Sequence, residues 1–221
     1  MRLIVWLGIA ASALIGLATA GDIPADYKGK PFQDENHKSG PQVIPGVLQC
    51  ALYDLGGEGV AYHDTDAINH GSGELNRKPD HCRPGAPPYF CYFREKEGVD
   101  VSYVKTFADL NHENFFTPEL NQLYLGWEAD GEWTNYTVDV KVAATYKVVA
   151  LYSFAANTIR FDLNGKPAGE YHLPLDTGSF HKWNKAEIGT ITFPKPGLQL
   201  LTLHYNSGNN LAYFEFVPVN R

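Results

Sequence analysis

The chain has 221 residues, 25 Asp and Glu against 18 Lys and Arg, and a formal net charge of −7 at pH 7. Nothing in that balance builds a basic stripe to track phosphates, which argues against nucleic acid and anionic membrane surfaces as partners. Residues 1–20 combine Arg2, an apolar run from Leu3 to Leu17 and Ala18-Thr19-Ala20 before Gly21, the three parts of a secretory signal peptide. The run is shorter than the roughly 20 residues a membrane span needs, and no basic cluster follows. Export with cleavage is therefore expected, leaving a secreted or periplasmic protein.

Gly21 to Pro45 is polar, holds prolines and glycines and shows no apolar period, which predicts an extended N-terminal arm over 21–45. Residues 46–221 change to short runs rich in Val, Tyr, Phe, Thr and Leu, separated by Gly, Asn and Asp. Strands are expected at 48–53, 59–63, 99–105, 133–142, 145–154, 158–163, 189–193, 199–205 and 212–217. Ile159, Phe161 and Leu163 alternate with Arg160 and Asp162, and Asn164-Gly165 then supplies a primed hairpin turn. Strands this frequent, with no long helical stripe, predict an all-β fold: a two-sheet antiparallel β-sandwich. The proline-bearing stretch from Asn76 to Gln122 interrupts the rhythm and reads as one or two surface insertions around the strand at Val99.

Three cysteines in an exported chain suggest one disulfide. Cys82 and Cys91 close a short loop, worth roughly 2 to 3 kcal/mol of unfolded-state entropy, and that pairing is favoured; Cys50 with either is the alternative.

Five segments in collinear order resemble the family 6 carbohydrate-binding modules. They are IPGVLQCALYDLGGEGVAYHDTD, FREKEGVDVSYVK, LGWEADGEWTNYTVDV, LDTGSFHKWNKAEI and GLQLLTLHYNSGNNLAYFEF, and together they reach from Ile44 to Val219. The resemblance implies a non-catalytic jelly roll that binds polysaccharide of plant or microbial origin, acting beside a separate glycoside hydrolase. It also implies a sugar site in the loops at one end of the sandwich, where two aromatic rings clasp a sugar and an asparagine bonds to it. The matching residues are Trp127, Trp183 and Asn210, with His63 as a further polar contact. An indole covers the apolar face of a pyranose, while an amide pairs with its hydroxyl edge. Core packing is the alternative for either tryptophan, and a turn role for Asn210. Where relatives hold a structural calcium, this chain has Gln49, Ala51 and Ala212, so no cofactor is expected: calcium takes six to eight oxygen ligands, several from carboxylates.

Other residue patterns in the chain bear on other chemistries. Glu128, Asp130 and Glu132 alternate like the acids of a family 16 glycoside hydrolase, and strand period two can hold carboxyls at the spacing of retaining hydrolysis. Ala129 and Gly131 stand between them, however, and Asp130-Gly131 favours a turn that would break the alternation. No Gln-x-His or Arg-rich strand suits a lyase. His63, Asp64, Asp66 and His70 fit no zinc spacing. A third possibility is a structural or adhesive surface protein that has kept the sandwich and lost the sugar site. Asn135-Tyr136-Thr137 is a glycosylation sequon on an expected strand.

Overall fold

The computed structural model describes residues 23–82 and 88–219; the leader expected over 1–20 lies outside the described residues. Twelve strands follow one another among the described residues. They are β1 (Gln42–Ile44), β2 (Gly46–Gln49), β3 (Tyr62–His63), β4 (Val101–Tyr103), β5 (Leu123–Leu125) and β6 (Trp133–Val140), then β7 (Ala144–Phe154), β8 (Thr158–Leu163), β9 (Lys166–His172), β10 (Trp183–Phe193), β11 (Gly197–His204) and β12 (Asn209–Pro218). One sheet runs β1-β6-β11-β8-β9 with β3 also on β6, and the other runs β10-β7-β12-β5-β4 with β2 also on β12. All pairs are antiparallel except β1 on β6. The expected all-β, two-sheet sandwich is thus the observed architecture.

The core follows from period two. On β8, Ile159, Phe161 and Leu163 are buried while Arg160 is exposed. Asn164 at φ +52° and Gly165 at φ +74° then turn the chain into β9. Rings from both sheets meet edge to face between the layers, with Phe161 and Phe214 centroids 5.0 Å apart at 81°.

Several elements escaped the periodicity. β10 begins at Trp183, well before the expected Gly189, because Asn184 to Glu187 carry no apolar alternation. The run expected at 48–53 leaves the strand for a 3-10 turn at Cys50–Leu52. The arm lies on the sandwich: Lys30 bridges Leu55, Phe32 is buried, and Gln42–Ile44 pair with β6. The insertion contains β4, a helical turn at Pro88–Cys91 and a π-helical turn at Thr106–Leu110. Cys82 and Cys91 are disulfide-bonded, as favoured, and Cys50 is a buried free thiol. The sequon Asn135 is buried in β6, where its amide donates to Val60 and accepts from Thr202.

Strand ends decide where the loops gather. Ser153, one residue before the end of β7, pairs with Trp183 at the start of β10 and with Asn210 near the start of β12. Leu211 in turn pairs with Leu125, the last residue of β5. The loops after β5 and β7 and before β10 and β12 therefore converge at one end of that sheet.

Candidate functional site

Trp127 follows β5 and is 44% exposed. Its backbone is left-handed at φ +51°, as is that of Phe154 at φ +73°, a conformation uncommon for bulky residues that tends to collect at functional sites. Beyond Trp127 the chain turns at Asp130-Gly131, with Gly131 at φ +95°. Glu132 secures this turn: its Oε2 accepts from Ala129 N at 2.8 Å, and its Oε1 accepts from Thr65 N and Oγ1. Asp130 accepts from Ser207 N, joining the turn to the loop before β12.

Asn210 is nearly buried, and its Nδ2 donates to the Phe180 carbonyl at 2.7 Å. Ser153 Oγ donates to the same oxygen at 2.6 Å. Phe180 is itself well exposed, with its ring 4.2 Å from that of Phe154. Thr177 ties the base of its loop to Phe154 through two bonds, one from each backbone N–H. Trp127, Asn210 and Phe180 line one cavity of about 310 Å³ with Tyr124. Leu75, Phe107 and Ala108 add apolar wall from the insertion and its approaches, and His81, Lys105 and His181 add nitrogen groups. That volume lies at the small end of ligand pockets, roughly 300–1,000 Å³.

Two of the four expected residues meet there, Trp127 and Asn210. Trp183 does not: its side chain is fully buried, packed edge to face on Tyr124 with centroids 5.2 Å apart. Its Nε1 donates to Asp109 Oδ1 at 3.1 Å. Trp183, expected in a loop, instead opens β10, where pairing with Ser153 turns it inward among Val104, Tyr124, Leu151 and Ala212. Phe180, three residues earlier and on the loop itself, is the aromatic of this segment that lines the cavity. The residues TGSFHKW held that signal, since an aromatic ahead of a strand can face solvent while one inside it must obey the pleat. His63 also lies apart from the cavity lining: its Nδ1 is 2.6 Å from Glu58 Oε1, and its ring centroid is 6.3 Å from that of Trp133.

The acids of the same segment are directed elsewhere. Glu128 and Glu132 are buried and absent from the cavity lining, and neither oxygen of Glu128 has a hydrogen-bond partner among the described residues. Burial pushes the Glu128 carboxyl well above the usual carboxylate range, and the neighbouring Glu132 and Asp100 push it further. Burial likewise raises Asp100 to about 8 and Asp64 to about 6. The spacing that suggested a hydrolase is interrupted by the Asp130-Gly131 turn.

The calcium positions do not fit that ion. Gln49 Oε1 accepts from Gln122 Nε2 at 2.7 Å, and Ala51 and Ala212 are buried without a side-chain oxygen. His70 lies between Asp66 and Glu74, at 3.1 and 2.8 Å, as a pair of ion contacts. Among the described residues no group of three or more His, Cys, Asp or Glu side chains could hold a metal.

No curated protein matches the chain. Among solved structures it is similar to CsCBM6-3 from Clostridium stercorarium in complex with cellobiose, at 15% identity and a TM-score of 0.49, over 82% of this chain and 99% of that one. It is similar to a β-1,3-glucan binding CBM6 from Bacillus halodurans, at 14% identity and a TM-score of 0.47, over 80% and 98%. A third is CBM6cm-2 from Cellvibrio mixtus lichenase 5A in complex with cellotriose, at 18% identity and a TM-score of 0.39, over 44% and 79%. The profile of carbohydrate binding module family 6 matches residues 103–218, more than half of the chain. With that match on this fold, the chain belongs to the family 6 carbohydrate-binding modules.

Proposed function

We propose that this protein is exported and binds polysaccharide without chemistry of its own, through the pocket between Trp127 and Phe180. The observation that carries the reading is the meeting of an exposed indole, an exposed phenyl ring and the Asn210 amide on one cavity. The rings offer apolar faces to a pyranose, and the carboxamide retains Oδ1 and a second N–H for its hydroxyls. The non-catalytic part rests on the burial of Glu128 and Glu132 away from that cavity. No helix among the described residues is long and apolar enough to cross a membrane. Export rests on the leader pattern and the disulfide. The natural ligand in this reading is a plant or microbial polysaccharide, attacked by a separate glycoside hydrolase.

The test is affinity electrophoresis of the mature protein in gels containing xylan, β-glucan, soluble cellulose derivatives, glycol chitin or agarose, with Trp127→Ala and Phe180→Ala in parallel. Retardation by at least one glycan, lost in both variants, is expected. Unchanged retardation of both variants would remove the site from consideration, and release of reducing ends by the purified protein would overturn the non-catalytic reading.

A further inference from the structure

The net charge of the chain is −7, yet among the described residues the cavity lining contains no carboxylate and three basic side chains: His81, Lys105 and His181. They come from three stretches, the insertion before β4, the insertion after β4 and the loop before β10, so their meeting is a product of the fold.

Lys105 is the unusual member. It is 5% exposed, and its Nζ donates to two neutral acceptors, Ser102 Oγ at 2.9 Å and Tyr103 O at 3.2 Å, while lying 4.0 Å from the Tyr103 ring centroid. A buried ammonium is ordinarily paired with a carboxylate, because desolvation of the charge is otherwise uncompensated. The neighbouring acid, Asp109, faces other donors. Its Oδ2 accepts from the backbone N of Lys105 at 2.7 Å, and its Oδ1 lies 3.1 Å from Trp183 Nε1 and 3.0 Å from His181 Nδ1. Burial consequently pulls Lys105 down to about 8 despite the opposing influence of Asp109. His81 is held below its usual range by burial, then by Lys105 and Lys78, against a weaker opposite pull from Asp80. Its Nδ1 is buried with no hydrogen-bond partner among the described residues.

We propose that this pocket is built for an anionic sugar unit, whose carboxylate or sulfate-ester oxygens are taken by Lys105 and His81 while the Trp127 indole covers the ring. This rests on the sugar-binding reading above and narrows its ligand class. An oxyanion would give the ammonium of Lys105 a carboxylate or sulfate in direct contact, which no acid among the described residues supplies, and give the imidazole of His81 a partner. Charge-assisted bonds of that kind are stronger than the neutral ones available to an uncharged sugar.

The experiment is isothermal titration calorimetry of the mature protein with oligogalacturonate, oligoguluronate and sulfated galactan oligosaccharides. Each is paired with its carboxyl-reduced or desulfated counterpart, and cello- and xylo-oligosaccharides complete the panel. At least one anionic ligand should bind about tenfold or more tighter than its neutral counterpart, and the carboxylate and sulfate arms identify which oxyanion is read. That preference should shrink on raising salt from about 20 to about 300 mM. Binding should also take up protons from buffer at pH 8, because the oxyanion raises the affinity of Lys105 and His81 for protons.

Lys105→Gln should abolish the preference. If that variant melts early, His81→Asn and the buffer dependence of the wild-type heat give the same answer without it. Tighter or equal binding of the neutral counterparts, with no proton uptake, would overturn the inference and leave the general sugar-binding function standing. Absence of binding to every glycan would overturn both.

Discussion

The side-chain amide of Asn210 donates to the backbone carbonyl of Phe180 across 2.7 Å, so the residue proposed to offer a sugar its polar group also positions an aromatic wall of the pocket. Ser153 Oγ supports the same carbonyl from the adjacent strand at 2.6 Å. Asn210→Ala should therefore weaken glycan binding more than loss of one sugar contact would, and cost about 1 kcal/mol of stability. Ser153→Ala, which removes only the loop support, should cost a similar stability and reduce binding a few-fold. Calorimetric titration alongside urea unfolding separates the two; equal binding losses would show that Asn210 acts only through the loop.

Trp183 and Phe180 should behave oppositely on truncation. Trp183→Ala opens a cavity in a fully buried cluster and leaves Asp109 without the indole donor, so a loss of about 3 to 5 kcal/mol is expected. Phe180→Ala removes a ring that is 42% exposed and should alter stability by about 1 kcal/mol or less while abolishing binding. Thermal melts and affinity electrophoresis on the two variants read this directly, and strong binding by a folded Phe180→Ala would contradict it.

Gly126 precedes Trp127, and a β-carbon there would come within 2.7 Å of Asn210 Oδ1. Because Asn210 is held through its other amide atom, it has little freedom to withdraw. Gly126→Ala is expected to keep the fold, with a stability loss of about 1 to 2 kcal/mol from overpacking, and to lower glycan affinity by about tenfold or more. Unaltered affinity would mean that the Asn210 carbonyl oxygen is not used by the sugar.

Stability should fall as pH rises from about 4 to about 8. Asp64 and Asp100 have folded values near 6 and 8, and Glu128 is also raised, so the folded state retains protons that the unfolded chain releases above its ordinary carboxylate range. His70, raised to about 9 by Glu74 and then Asp66, acts in the same sense: its contribution is complete below about 6.5 and is lost as pH approaches 9. Lys105, lowered to about 8, adds stability with rising pH only above that value. Urea unfolding at pH 5 and pH 8 should give the higher free energy at pH 5. Glu128→Gln should flatten the difference, and an unfolding free energy that rises between those pH values would refute the assignment.

The sandwich was legible because its strongest signal is periodic: β8 alternates cleanly, and Asn164-Gly165 sets its hairpin. The turn at Asp130-Gly131 was legible for the same local reason, a left-handed glycine after an aspartate. Trp127 and Asn210 were found through the resemblance, and the structure brings both to one cavity. Trp183 was misplaced because Asn184 to Glu187 hide the strand that turns it inward, and that error concealed Phe180. Lys105, His81 and His181 were beyond reach of any local pattern, since only the path of the insertion across the sandwich brings them together.

Leu75 and His81 line the pocket although both precede residue 103, where the match to the family profile begins, and the disulfide at Cys82 anchors the chain immediately beyond them. Trp127 and Asn210 thus lie within the stretch that the profile matches, while part of the same lining is supplied by a separately stapled detour. On the proposed sugar-binding role, rewriting the detour would reshape the lining for a different glycan, with the sheets left as they are.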